Sequence, residues 1–137
     1  MTWNVKEQVP SLAVADLDMG IRYYSCIGFE LEWRWPRESP SHVGLRNGPA
    51  ALMLVRSEVR VGVEIYFVVD DVESCYTELC AAQPWKLVHA ALGGTEGAGG
   101  PASSPPNPPS VKDHQHFDFT IEDPWGHRLT FGREAAG

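Results

Sequence analysis

The fold can be deduced from one stretch of the sequence, Gly62-Val63-Glu64-Ile65-Tyr66-Phe67-Val68-Val69-Asp70-Asp71-Val72-Glu73. Apolar side chains occupy every second position from Val63 to Val69, and the positions between them are mixed. This alternation predicts a strand whose two faces meet different environments. Asp70-Asp71 then supplies an N-cap and a first-turn acid for a following helix. The stretch therefore predicts a strand that leads directly into a helix.

A similar stretch lies about 55 residues upstream, which is the pattern expected of a duplicated module. It reads Val9-Pro10-Ser11-Leu12-Ala13-Val14-Ala15-Asp16-Leu17-Asp18. Val9 aligns with Glu64, and Asp16-Leu17-Asp18 aligns with Asp71-Val72-Glu73. We therefore expect a single domain built from module 1 (7–56), a connector (57–60) and module 2 (61–133).

In each module the sequence pattern predicts the order strand, helix, strand, strand, strand. In module 1 these are 7–14, 16–28, 29–35, 42–46 and 50–56, and Asn47-Gly48 forms the final hairpin. In module 2 they are 61–69, 71–82, 85–90, 115–122 and 127–133, and Asp123-Pro124-Trp125-Gly126 forms the hairpin. The Gly- and Pro-rich residues 93–113 predict a mobile loop. The fold class is α+β: two βαβββ modules form curved, mostly antiparallel sheets around a groove, with helices on the outer face.

Composition narrows the possible functions. The 137 residues carry a formal net charge of −7, which argues against nucleic acid as a partner and favours approach of cationic ligands. The apolar runs are too short to span a bilayer, and the first residues lack a secretory signal. We therefore expect a cytoplasmic protein whose cysteines, Cys26, Cys75 and Cys80, are reduced and buried.

The second face of the predicted sheet combines polar and aromatic side chains. It comprises Ser11, Glu64, Tyr66, His116, Asp118, Thr120, Arg128 and Thr130. Strict alternation also places Phe29, Leu31, Trp33 and Trp35 together on one face. One interpretation is a face that simply meets water, as antiparallel sheets often do. The other is the lining of a groove. His89 and His127 are expected at the surface.

The doubled module resembles the vicinal oxygen chelate superfamily, which includes glyoxalase I, extradiol dioxygenases and bleomycin resistance proteins. The matching residues are 12–18 with Tyr23-Tyr24 and Gly28-Phe29, then 66–72, and the closing Asp123-Pro124-Trp125-Gly126-His127-Arg128-Leu129. Metal-using members carry ligands on four strands. The matching positions here are Val9, one of residues 53–55, Glu64 and Thr130, so only Glu64 is a hard ligand. The resemblance therefore implies no metal and no cofactor.

The resemblance favours the bleomycin resistance branch, whose members are homodimers that trap a toxic natural product without chemistry. It implies grooves shared between chains and a metal-independent, non-enzymatic protein that binds a bleomycin-like, quinone or aromatic enediyne antibiotic and confers resistance. The candidate ligand-binding residues are Trp33, Trp35, His42, Glu64, Tyr66, His114, His116, Asp118 and Arg128, of which Trp33 and His114 follow from the resemblance. The alternatives are a metal-dependent lyase, isomerase or dioxygenase of the superfamily and a scaffold without a small ligand. Separately, His114 and His116 with Glu64 or His42 are candidates for an unorthodox metal site.

Overall fold

The computed structural model of the protein describes residues 2–59, 61–87, 105–112 and 116–134. His89, His114 and residues 93–104 and 113 of the predicted mobile loop lie outside the described residues. The contacts between Cα atoms divide the chain into two compact units, Met1–Arg60 and Val61–Gly137. The boundary falls at the expected connector.

The first unit is a four-stranded sheet with one helix. Its elements are β1 (Ser11–Val14), α1 (Leu17–Cys26), β2 (Glu30–Trp35), β3 (His42–Asn47) and β4 (Ala50–Arg56). The strand order is β1-β4-β3-β2, in which β1 runs parallel to β4 and the other pairs are antiparallel. The first strand is shorter than the predicted 7–14 because pairing ends at Pro10, which has no N–H and offers only its carbonyl, to the Met53 N–H.

The second unit has the same order of strands. Its elements are β5 (Glu64–Val68), α2 (Val72–Ala82), β6 (Ser110–Val111), β7 (His116–Glu122) and β8 (Arg128–Glu134). The order β5-β8-β7-β6 repeats that of the first unit, again with one parallel pair, β5 with β8. The α+β class and the duplicated module are therefore confirmed.

Both helices begin at the aspartates that the sequence indicates. The Asp16 carboxylate accepts the Met19 N–H at 3.0 Å, and that of Asp71 accepts the Ser74 N–H at 3.0 Å. Hydrogen bonds from the Ser74 N–H and then the Ser74 hydroxyl hold the pKa of Asp71 below its ordinary value. The N-cap of α2 is Asp71, one position after Asp70, and the acid in its first turn is Glu73, two positions after the predicted Asp71. Each carboxylate satisfies an N–H that the first helical turn leaves unbonded.

Each core lies between the helix and one face of its sheet. In the first unit the buried side chains are Leu12, Val14, Tyr23, Tyr24, Phe29, Val43, Leu45, Leu52 and Leu54. In the second unit they include Val72, Leu79, Phe119, Ile121, Leu129 and Phe131. No helix among the described residues is long and apolar enough to cross a membrane.

The predicted alternation of β2 is wrong because the strand contains a bulge. Leu31 pairs with Leu45, but Trp33 pairs with Gly44, so the register shifts between Leu31 and Trp33. Leu45 and Gly44 are successive residues of β3 and lie on opposite faces. A bulge inserts one extra residue, here Glu32, and reverses the face of every residue after it. Leu31 therefore lies on the core face, and the tryptophans lie on the other.

The predicted strand at 85–90 is wrong for residues 85–87, the part of it that the structure describes. Residues 85–87 form a helical turn after α2, in which the Leu87 N–H donates to the Pro84 carbonyl. The fourth strand of the second sheet is β6, which the prediction had assigned to the mobile loop. The local sequence of residues 85–90 favours a strand. Pairing with β7, however, decides which segment becomes the edge strand of the sheet.

His127 is wrongly predicted as a surface residue. It is 1 % exposed, and its Nδ1 accepts the Val63 N–H at 3.1 Å. The preceding turn is confirmed, since Asp123 accepts the N–H groups of Trp125 and His127 at 2.9 and 2.8 Å. His127 therefore joins the last hairpin to the start of β5.

Candidate ligand-binding faces

In the first unit, two tryptophans lie on the sheet face that α1 does not cover. Trp33 is 42 % exposed and Trp35 is 62 % exposed. The bulge at Glu32 places them there, and β2 ends beside them at the cis Trp35–Pro36 bond. Large exposed aromatic groups on a sheet offer flat surfaces for stacking. We call Trp33, Trp35 and His42 the aromatic face.

The Trp33 ring packs directly against Gly44, its partner in β3. A Cβ atom at Gly44 would overlap the indole ring at Nε1 and Cε2. Glycine is therefore required at this position by close approach of the ring. Sequence alone gave no sign of this role for Gly44.

His42 is held at the edge of Trp35. The two rings meet edge to face with centroids 5.8 Å apart, and the residues pair directly across β2 and β3. His42 Nδ1 and the Ser41 hydroxyl lie 2.7 Å apart and share a hydrogen bond. With Nδ1 engaged, Nε2 is the ring nitrogen that a ligand can meet.

An arginine bridges the bulge to the N-terminal segment. Arg46 donates from Nε to Glu32 at 2.8 Å and from a terminal nitrogen to Glu7. Both hydrogen bonds raise the pKa of Arg46, that to Glu7 more than that to Glu32. The bridge therefore links the bulge residue to the chain ahead of β1.

An open recess of about 580 Å³ lies along β2. Its lining residues are Leu31, Glu32, Trp33, Arg34 and Arg37. This volume is within the range of small-molecule sites, about 300 to 1,000 Å³.

In the second unit, the corresponding face is polar and centres on Tyr66. The Tyr66 ring lies over Gly132, where a Cβ atom would overlap its hydroxyl oxygen. It meets the His116 ring edge to face at 5.6 Å. Burial and then the Asp118 charge raise the pKa of Tyr66. We call Tyr66, His116 and Asp118 the tyrosine cluster.

Asp118 is the buried carboxylate of this cluster. It is 3 % exposed, and Lys112 Nζ lies 3.7 Å from its Oδ1 while donating to the Ser110 hydroxyl at 2.6 Å. A buried carboxylate is stable only with polar partners. Lys112, absent from the predicted site, thus adjoins the cluster.

Glu64 and Arg128 form an exposed pair on β5 and β8 of the same sheet. Their closest atoms lie 3.5 Å apart, and the side chains are 78 and 57 % exposed. An exposed pair of this kind stabilises the fold by about 0 to 1 kcal/mol. Both residues lie on the predicted face.

The predicted site residues therefore form two groups, one in each unit. The aromatic face holds Trp33, Trp35 and His42, and the second unit holds Glu64, Tyr66, His116, Asp118 and Arg128. His114 lies outside the described residues. The structure adds Gly44, Gly132 and Lys112, whose roles depend on cross-strand neighbours.

The described residues contain no group of three or more His, Cys, Asp or Glu side chains placed to hold a metal ion. Thr130 and Glu64 are two of the positions that match metal ligands in the metal-using proteins. The Thr130 hydroxyl shares a hydrogen bond with the Thr120 hydroxyl, and the two oxygens lie 2.7 Å apart. Glu64 is engaged with Arg128.

Comparison with known proteins gives likeness in structure only. No protein-family model matches the chain, and no curated protein matches it. Among solved structures, a bleomycin-binding protein from bleomycin-producing Streptomyces verticillus, complexed with copper(II)-bleomycin, is 17 % identical with a TM-score of 0.70, covering 99 % of this chain and 100 % of that one.

Two further structures share the arrangement. A bleomycin resistance determinant encoded on transposon Tn5 is 17 % identical with a TM-score of 0.67, covering 96 % of this chain and 100 % of that one. A glyoxalase/bleomycin resistance protein/dioxygenase from Nocardioides is 15 % identical with a TM-score of 0.66, covering 100 % of this chain and 88 % of that one. At these identities the likeness establishes the fold.

Proposed function

We propose that this chain, which has the vicinal oxygen chelate fold of the bleomycin resistance proteins, is a metal-independent binding protein that sequesters a cytotoxic natural product. The observation that carries the proposal is the aromatic face, where Trp33 and Trp35 remain 42 and 62 % exposed on a sheet. Side chains of this size are normally buried unless they meet a partner.

A flat aromatic ligand suits this face. Stacking on one ring contributes about 0.5 to 1.5 kcal/mol beyond burial of area, so two tryptophans give a useful but incomplete affinity. His42 adds a hydrogen-bonding nitrogen at the edge of Trp35. Bleomycin-like glycopeptides, mitomycin-like quinones and aromatic enediynes all carry planar groups, and a solved structure of the same fold holds copper(II)-bleomycin.

The experiment is a thermal-shift screen with bleomycin, mitomycin C and a planar intercalating antibiotic, combined with tryptophan fluorescence. A ligand that binds only the folded state raises the melting temperature. We expect saturable quenching that Trp33→Ala or Trp35→Ala weakens at least tenfold. Trp3→Phe is the matched control, since Trp3 is 60 % exposed but lies in the N-terminal segment outside the aromatic face.

Unchanged affinity in both alanine variants would remove the aromatic face from the proposal. Elemental analysis of the same batch tests metal independence. A stoichiometric divalent ion, together with turnover of a substrate, would instead support the metal-dependent enzyme class, in which the ion acts as a Lewis acid.

We further propose that the protein is a cytoplasmic homodimer with ligand grooves shared between chains. Exposed apolar side chains, among them Val61 at 66 % and Val68 at 81 %, support an interface because they are costly to leave in water. Light scattering at micromolar concentration tests the dimer, and a monomeric mass would contradict it.

A further inference from the structure

A cavity of about 340 Å³ lies in the first unit, where α1 begins over its sheet. Its apolar lining comes from the helix, the loop after β2 and the sheet, and comprises Leu17, Ile21, Pro40 and Val43. Its charged lining comprises Asp16, Asp18, Arg34 and Arg56. All of these belong to residues 15–56, which the structure describes without a gap. The lining includes no member of the aromatic face.

Both arginines lie on the core face of the sheet. Arg34 pairs with Val43, and Val43 pairs with Leu54, so these side chains form one row on the same face. Arg56 follows Leu54 by two positions in β4 and therefore also lies on that face. Val43 and Leu54 are 1 and 0 % exposed, whereas both arginines are exposed. The arginines thus come from the two strands that flank Val43, at the open end of the core.

Opposite charges line this cavity without meeting. Within residues 2–59, the ion pairs are those of Arg46 with Glu7 and Glu32, and the four charged lining residues form none. An arginine at the edge of a core can lay its stem on apolar surface and keep its head in water, which explains a single charge at this place. It does not explain why two arginines and two aspartates line one cavity and remain apart. The space between them suits a ligand that carries both charges.

The aspartates keep accepting oxygens although they lie at the start of α1. Asp16 uses Oδ1 to accept the Met19 N–H at 3.0 Å, so Oδ2 is the oxygen that an ammonium group can meet. Asp18 is the acid in the first turn, and its carboxylate has no hydrogen bond or ion pair with any described residue. The two carboxylates complement the positive end of the helix dipole, so a simple anion gains little there.

We propose that this cavity binds a free α-amino acid with an apolar side chain. Its carboxylate lies between Arg34 and Arg56, in the charge-assisted hydrogen bonding that guanidinium groups favour. Its ammonium group lies beside Asp16 and Asp18, and its side chain rests on the apolar lining. A simple anion would be repelled by the aspartates and a simple cation by the arginines, so a ligand with both charges suits all four groups.

The volume favours a single amino acid over a longer peptide. About 340 Å³ is near the lower end of the range for small-molecule sites, about 300 to 1,000 Å³. The charged ends of an extended tetrapeptide lie about 13 Å apart at about 3.3 Å per residue, whereas both charged groups of an α-amino acid are bonded to one carbon. Because the charged side chains are exposed, each ion pair is weak, and we expect a dissociation constant in the upper micromolar to millimolar range.

The probe is L-leucine, titrated at low salt and pH 7 into the full chain labelled with ¹⁵N. Leucine has no flat ring, so it does not stack on the aromatic face. We expect saturable shifts of the amide resonances of residues 15–18 and 56. Two analogues separate the charges, since 4-methylpentanoate lacks the ammonium group and 3-methylbutylamine lacks the carboxylate. Each analogue should bind at least tenfold more weakly than leucine.

Variants assign each charge of the ligand to its partners. The double variant Arg34→Gln/Arg56→Gln should weaken leucine at least tenfold. Arg22→Gln is the matched control, because Arg22 is an exposed residue of α1 outside the cavity lining, and it should bind leucine within twofold of the original chain. Asp18→Asn should reduce the preference for leucine over 4-methylpentanoate to threefold or less, a change that a merely structural role would not produce.

Three results would overturn the proposal. They are an absence of shifts at residues 15–18 and 56, equal binding of leucine and 4-methylpentanoate by the original chain, and equal binding of leucine by the double variant and Arg22→Gln. The second result would make the cavity a simple anion site. None of these measurements uses Trp33 or Trp35, so the amino acid site and the proposed antibiotic site stand or fall separately.

Discussion

Trp33 lies across Gly44 so closely that any side chain at position 44 would overlap the indole ring. The second unit contains a similar pair, in which Tyr66 lies across Gly132. In both units an aromatic ring is laid on the sheet by a glycine of a neighbouring strand. The resemblance of the two arrangements supports a functional use of these faces rather than chance exposure.

Gly44→Ala should displace Trp33 while leaving the sheet folded. The new Cβ atom would occupy the space of the ring, so the ring must turn toward solvent. We expect a red shift of tryptophan fluorescence and at least a tenfold loss of affinity for a ligand that quenches the original protein.

Gly48→Ala is the control for this substitution. Gly48 lies in the adjoining hairpin with φ of +57°, and a Cβ atom there meets nothing within 4 Å. The Gly48→Ala substitution should cost about 1 kcal/mol of stability through backbone strain, without changing the affinity for the quenching ligand. Equal loss of affinity in both variants would show that the Trp33–Gly44 contact is not specific.

Asp118→Asn should lower the pKa of Tyr66 toward its ordinary value. Burial is the larger cause of the raised pKa and remains, whereas the repulsion between carboxylate and phenolate is removed. Ultraviolet titration of phenolate absorbance, with Tyr66→Phe subtracted to isolate the residue, measures the change. An unchanged titration would separate Asp118 from Tyr66 electrostatically.

Cys75 should make the fold less stable at alkaline pH. Burial, and then the charges of Glu78 and Asp71, raise the pKa of its thiol from 9.0 to about 11. The contribution of the Cys75 thiol to the free energy of unfolding is fully present below pH 9 and is lost as the pH rises toward 11. The reason is that the thiol releases its proton at lower pH in the unfolded chain than in the folded one. Melting temperatures of the original chain should fall faster over this window than those of Cys75→Ser. Parallel curves would contradict the assignment.

Asp123→Ala should be among the more damaging substitutions of the second unit. Asp123 is fully buried and accepts two backbone N–H groups in the last hairpin. Leaving these donors unsatisfied costs about 1 to 3 kcal/mol each. Urea unfolding should show this loss, and Asp123→Asn, which keeps an accepting oxygen, should recover a measurable part of it. Identical midpoints for the two variants would contradict this role.

Local signals in the sequence were sufficient for most of the fold. Asp16 and Asp71 cap helices, Asn47-Gly48 makes a hairpin, and alternation marks β5, because each depends on neighbours within a few residues. The edge strand of the second sheet did not follow from such signals. Residues 85–87 have strand-like composition but form a helical turn, and β6 gains its place from pairing with β7.

The candidate faces were less predictable for the same reason. The tryptophans were identified from the sequence, but their face depends on a register shift that appears only when β2 pairs with β3. His127 looked exposed because its partner, the Val63 N–H, lies 64 positions away in the chain. The roles of Gly44 and Gly132 are set by rings on neighbouring strands.

Glu32 sets which face of the sheet the two tryptophans occupy. If Glu32 paired with Gly44 instead of bulging, every later residue of β2 would move by one place, and Trp33 and Trp35 would turn toward α1, where the space is already filled. Deleting Glu32 would instead leave Trp33 opposite Gly44 and both tryptophans on their present face. A register slip in an ancestral strand would therefore move two large aromatic groups from an interior to an accessible surface in one step. Ligand binding in this fold could thus arise by a change of register, without any prior substitution of the residues that contact the ligand.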